Sequence, residues 1–141
     1  MQEILEFIVN NVHFGIDVSE IQEIVSNKDI TYIPQKNKAI LGCMMIRKDT
    51  YSVIDLKHIL YNQNTKINKN IFYILYSVNE NKNALAVEEV IGIRKIHEII
   101  EPPKLINASN NSNITGIIKA DDIIISLLNF NKIITDLGDN K

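Results

Sequence analysis

Residues 42–56, GCMMIRKDTYSVIDL, read as strand, tight turn, strand and helix start, and residues 116–130, GIIKADDIIISLLNF, repeat that plan. Gly42 matches Gly116 at an offset of 74, Ile54-Asp55-Leu56 matches Leu128-Asn129-Phe130, and Ile59-Leu60 matches Ile133-Ile134. A second register precedes it: Val18-Ser19-Glu20-Ile21 matches Val87-Glu88-Glu89-Val90 at an offset of 69, and Pro34 matches Pro102 at 68. The changes of offset fall in loops, where insertions cost little. The chain therefore reads as a duplication.

Working outward, Ile4–Val9 and Val12–Val18 form a hairpin across Asn10-Asn11, residues that tolerate positive φ. Ser19 is placed to cap a short helical turn that carries Ile21, Ile24 and Val25 inward, with Glu20 and Glu23 in its first turns. Ile30–Pro34 is a short extended piece. Leu41–Ile46 and Tyr51–Ile54 pair across Arg47-Lys48-Asp49-Thr50, Asp55 caps the helix 56–60, and the polar stretch 61–70 closes the first half. In the second half, Ile71–Val78 and Ala84–Val87 pair across residues 79–83. An extended run from Gly92 to Ile100 ends at Glu101-Pro102-Pro103, and a polar loop covers 107–113. Ile114–Ala120 and Ile123–Leu128 then pair at Asp121-Asp122, and a helix spans 130–137. Two copies of about five short strands imply two small barrels, since closure removes open sheet edges.

Composition agrees with a mainly β chain. Among 141 residues Ile occurs 28 times, against five Gly and three Pro, which favours strands. A chain of this length buries roughly 70% of its unfolded surface, enough for a core without staples. The formal charge of −2 and the absence of Trp argue against bulk attraction to nucleic acid or a base-stacking platform. The single Cys43 excludes an intrachain disulfide and a Cys-based zinc site. No apolar run approaches 18 residues, so direct membrane insertion is not expected, and Gln2-Glu3 do not resemble a basic signal region. These features read as cytoplasmic.

At this point the sequence is similar to the CheW-like domain of bacterial chemotaxis coupling proteins, over about residues 3–137. The resemblance lies in Ile21-Gln22-Glu23-Ile24 after the opening hairpin and in Gly42 through Lys48 leading to Ser52-Val53-Ile54-Asp55-Leu56. It continues in Val87-Glu88-Glu89-Val90, and in Ile114-Thr115-Gly116 with its following helix. Met45, Lys48 and Ser52 depart from the family's Asn, Gly and Pro. A Lys at that turn suggests a different turn type, because Lys accepts positive φ poorly. The resemblance implies two intertwined five-stranded SH3-like β-barrels related by pseudo-twofold duplication, within a single domain over residues 1–141. The first barrel is drawn mostly from about 12–70 and the second mostly from about 71–128, with the terminal segments packing across both. It implies a non-catalytic adaptor that links the cytoplasmic tip of chemoreceptors to the regulatory domain of the histidine kinase CheA at membrane-bound arrays.

The candidate binding surface comprises Ile21, Glu23, Ile24, Arg47, Lys48, Val87 and Val90. Glu23 and Arg47 are expected to pair near the core edge, where a guanidinium fork matches a carboxylate. The four aliphatic residues are either core or the wall of a groove between the barrels. No catalytic residue, metal ligand set or cofactor is expected. Asp55 reads as a cap, Glu88-Glu89 and Asp121-Asp122 as solvated carboxylates, and Cys43 as a small core residue. The sequons at Asn107, Asn110 and Asn113 reflect abundant Asn without a secretory signal. His13, His58 and His97 lack metal-ligand spacing, and no Gly-rich loop follows a strand. The alternative function is a small β-barrel ligand carrier or enzyme that uses the interbarrel cleft, which would show a deep pocket with convergent polar groups.

Overall fold

The computed structural model describes residues 2–103 and 113–139; the 107–112 part of the polar loop, with the Asn107 and Asn110 sequons, lies outside them. Among these described residues, eleven strands and two α-helices follow one another as β1 (Gln2–Val9), β2 (Val12–Asp17), β3 (Glu23–Ser26), β4 (Thr31–Tyr32), β5 (Ile40–Ile46), β6 (Asp49–Asp55), α1 (Leu56–Tyr61), β7 (Phe72–Val78), β8 (Asn81–Val87), β9 (Glu89–Ile96), β10 (Ile114–Ala120), β11 (Ile123–Leu128) and α2 (Phe130–Asp139). They form a six-stranded sheet in the order β3-β7-β8-β6-β5-β4 and a five-stranded sheet in the order β10-β11-β2-β1-β9. The fold is mainly β, with two small SH3-like barrels.

The duplication is visible in the registers. Ile24 faces Ile74 across β3 and β7, and Ile93 faces Leu5 across β9 and β1. Val53 faces Ala84 in the parallel β6–β8 pair, and Leu127 faces Gly15 in the parallel β11–β2 pair. Even the irregularities repeat: the ladder slips between Ile40 and Gly42 in one sheet and between Ile114 and Gly116 in the other. Both slips carry glycine because a strand segment crosses there. A Cβ on Gly42, whose φ is 152°, would lie 2.0 Å from the Thr31 carbonyl oxygen, and one on Gly116 would lie 2.4 Å from Ile99.

A boundary at residue 71 does not separate the sheets. The β7–β8 hairpin lies inside the sheet built from β3 to β6, and the β1–β2 hairpin lies inside the sheet built from β9 to β11. Each half lends its leading hairpin to the other. The lent hairpins are therefore covered on both faces, which is why residues 4–7, 73–76 and 83–87 are continuously buried rather than alternating. Phe7, Phe14, Ile74, Tyr76, Leu85 and Phe130 belong to the core shared between the barrels. Met44, Tyr51, Val53, Tyr73 and Leu75 fill the first barrel, and Ile4, Ile96, Ile118, Ile125 and Leu127 fill the second.

Several local expectations change. Asn10 and Asn11 do take positive φ, at 55° and 63°. Beyond this hairpin a 3-10 turn covers only Val18–Glu20, and Asp17, not Ser19, caps it by accepting a hydrogen bond from the Ser19 amide. That bond, with lesser help from the Ser19 hydroxyl and Gln2, holds the Asp17 carboxyl below its ordinary range. Glu23 and Ile24 consequently stand on a strand and not on a helix. The β5–β6 turn is the pair Arg47-Lys48, and the β7–β8 turn is Asn79-Glu80. Asp55 sits at the start of α1 without capping it. Its fully buried carboxylate instead accepts the Thr65 amide at 2.8 Å and the Thr65 hydroxyl at 2.5 Å, tying down the connection between the halves.

Candidate functional site

Glu23 lies on β3 and Arg47 in the β5–β6 turn. Arg47, not Lys48, takes the positive φ, 58°, so the strain expected of Lys48 falls on its neighbour. The Arg47 guanidinium donates from Nη1 and Nη2 to the two Glu23 carboxylate oxygens at 2.9 and 3.0 Å. That fork lowers the Glu23 pKa and raises that of Arg47. The pair is exposed, with the Arg47 side chain 70% accessible and that of Glu23 37%. Glu23 shares the half-buried face of β3 with Val25, which packs on the first-barrel core, but as the first residue of the strand it stands at the open end of that face, where the pair meets solvent.

The aliphatic candidates separate. Val87 is fully buried in the shared core and cannot meet a partner; this removes it from the surface. Its β8 position is covered on both faces. Ile21 and Val90 are half-buried against the same core, and Ile24 is exposed at 37%. Ile93, which the sequence reading omitted, is 63% exposed. The 69-residue offset that pairs Ile21 with Val90 also pairs Ile24 with Ile93, and this was the available signal. Ile24 and Ile93 each stand across from a residue of the shared core, Ile74 and Leu5 respectively. The apolar surface of that core thus continues outward along β3 and β9.

Lys48 is exposed and lines an open polar cleft of about 770 Å³ with Asp49, Glu80, Lys82 and Asn83. Tyr32, Ile33 and Met45 are further exposed apolar residues on β4, the residue after it, and β5, with Met45 on the opposite sheet face from Tyr32. Met45, the residue at the family's Asn position, is 68% exposed. Cys43 is half-buried beside them and not in the core, since Met44 and Ile46 take the inward positions of β5.

Two charged clusters escaped the sequence reading. Glu6, 1% exposed within the run on β1, accepts from Arg94 Nε and Nη2 at 3.1 and 3.0 Å, and contacts His13 Nδ1 at 2.6 Å. It joins the three strands β9, β1 and β2. Glu88 is half-buried and partnered, where a freely solvated carboxylate was expected: it accepts the Asn10 amide and contacts Lys57 Nζ at 3.3 Å, fastening the β1–β2 turn to α1. Among the described residues, no helix is long and apolar enough to cross a membrane.

With this geometry in place, the comparisons with known proteins are specific. The CheW-like domain matches residues 3–138. A chemotaxis protein CheW of Helicobacter pylori is 24% identical over 137 residues, covering 94% of this chain and 83% of the relative. The crystal structure of the scaffolding protein TtCheW from Thermoanaerobacter tengcongensis superposes with a TM-score of 0.81 at 27% identity, over 91% of this chain and 88% of that one.

Proposed function

This chain belongs to the CheW-like domain family, and we propose that it serves as a non-catalytic adaptor coupling the cytoplasmic tip of chemoreceptors to the regulatory domain of CheA in the cytoplasm, at receptor arrays. The observation that carries this reading is the outward continuation of the shared core: Ile24 and Ile93 are exposed on the two edge strands, with half-buried Val90 on β9 and half-buried Ile21 just before β3. An amphipathic helix presents apolar residues at the spacing such a surface accepts. The Glu23–Arg47 fork, whose carboxylate stands on the opposite face of β3 from Ile24, fixes the edge strand that presents it. The kinase domain is assigned to a separate surface, the outward face of β5 with the residue after β4, which exposes Met45 and Ile33. Each contact is modest alone, and the array supplies strength through multivalency.

The test is co-sedimentation of the whole chain with receptor-containing membranes, with and without CheA. The reading requires recovery with receptors alone and increased recovery of CheA when the chain is present. A folded chain that sediments with neither refutes it.

A further inference from the structure

Every ladder that connects one hairpin system to another runs between the halves. Strands β1 and β2 pair with β9 and β11, and β3 and β6 pair with β7 and β8. Within residues 2–61, by contrast, β1 bonds only to β2, while β4, β5 and β6 bond only among themselves. Among the described residues of 71–139 the ladders are β7–β8 and β10–β11, with the isolated Ile100–Ile117 bridge. Each half taken alone is a set of disconnected hairpins. It leaves open the faces that form the shared core, including Phe7 and Phe14 on one side and Ile74 and Leu85 on the other. Small hairpins of this kind are at best marginal in water.

We propose that the two halves are obligate binding partners, residues 2–61 recognising residues 71–139 whether or not 62–70 joins them, and that a second copy of the chain can supply the missing half. The occupant of each open face is fixed by its register. Ile24 demands Ile74 and Leu5 demands Ile93; Val53 demands Ala84 and Leu127 demands Gly15. Because the two sets are related by the duplication, the contact is close to self-complementary, the property that generates closed twofold assemblies. In the intact chain the connection gives the intramolecular partner the higher effective concentration, so the monomer is the favoured form. The connection itself is held at Thr65 by Asp55, whereas Lys66, Asn68, Lys69 and Asn70 are exposed.

The experiment nicks the folded full-length chain at a protease site placed over residues 68–70. The expected result is that both pieces elute together at the mass of the intact protein and part only in denaturant. After denaturant is removed they recombine, and their melting midpoint now rises with protein concentration. A second arm mixes nicked protein with an intact chain bearing a tag. Exchange of an untagged half onto the tagged chain after a denature–renature cycle is expected. Pieces that separate on a native column while each retains its strand circular dichroism would overturn the proposal, as would a melting midpoint independent of concentration. Receptor binding does not enter either readout, so failure here is distinct from failure of the adaptor reading.

Discussion

Glu23 and Arg47 meet across the seam of the first barrel. In the ladder order, strands β7, β8 and β6 separate β3 from β5, yet the two side chains form a two-pronged contact at 2.9 and 3.0 Å. That is possible only because the sheet curls until its ends approach. The second barrel has no counterpart: at the equivalent places stand Gly92 and Asp121.

Because both partners are exposed, Arg47→Ala is expected to leave the urea midpoint nearly unchanged while weakening partner association; surface pairs contribute little to stability. As Glu23 has a lowered pKa, whatever the pair does contribute is present above the ordinary glutamate range and fades as pH falls through the lowered value. A large loss of stability in Arg47→Ala at neutral pH would show instead that the fork holds the seam shut.

Asp at position 24 or 93 should leave a folded protein with receptor co-sedimentation reduced roughly tenfold, since a carboxylate in an apolar contact must be desolvated without a partner. Val87→Asp should fail to fold, because that side chain is fully buried. Circular dichroism separates the two outcomes. Normal receptor recovery by folded Ile24→Asp and Ile93→Asp would move the interface elsewhere, first to the turn at Arg47 and Lys48.

Arg94→Ala strips one cation from the buried Glu6 carboxylate and should cost on the order of 2–4 kcal/mol in denaturant titration. Glu6→Leu should cost less, since the equivalent residue in the other barrel is the buried Leu75 and the freed Arg94, half-buried, can reach water. Equal penalties for both variants would mean the cluster stabilises through its packing and not through charge.

The Tyr73 hydroxyl is buried without a hydrogen-bond partner. Tyr73→Phe should therefore be neutral or stabilising by about 1 kcal/mol, because it removes an unsatisfied polar group. Burial pushes the pKa values of Tyr73 and Tyr76 up to about 12. A folded-state pKa raised above the unfolded value near 10 means that stability is whole below pH 10 and is lost as pH rises toward 12. Absorbance at 295 nm should show Tyr73 and Tyr76 ionising together with alkaline unfolding, and ionisation of these two near pH 10 in a protein that keeps its strand circular dichroism would contradict this.

Much of the strand order was readable, because turn residues such as Asn10-Asn11 and Asp121-Asp122 impose their own conformations and the duplication checks one half against the other. Two kinds of feature were not. Ile21, Ile24 and Val25 stand at helical spacing, and pairing with β7 overrides it to make residues 23–26 a strand. Burial of Glu6 and Val87 depends on which hairpin is exchanged, a non-local fact that periodicity does not carry. Ile93 is the instructive omission: the offset already fitted from Ile21 to Val90 led to it.

The exchanged hairpins also set a timetable for synthesis. The β1–β2 hairpin leaves the ribosome before its sheet neighbours β9 and β11, which lie at residues 89–96 and 123–128. Until those residues emerge, Leu5, Phe7 and Phe14 have no final cover. Such long-range pairing slows folding and exposes apolar surface meanwhile. The first half therefore keeps this apolar surface open until residues 89–128 have been made, so the order of synthesis runs opposite to the order of burial.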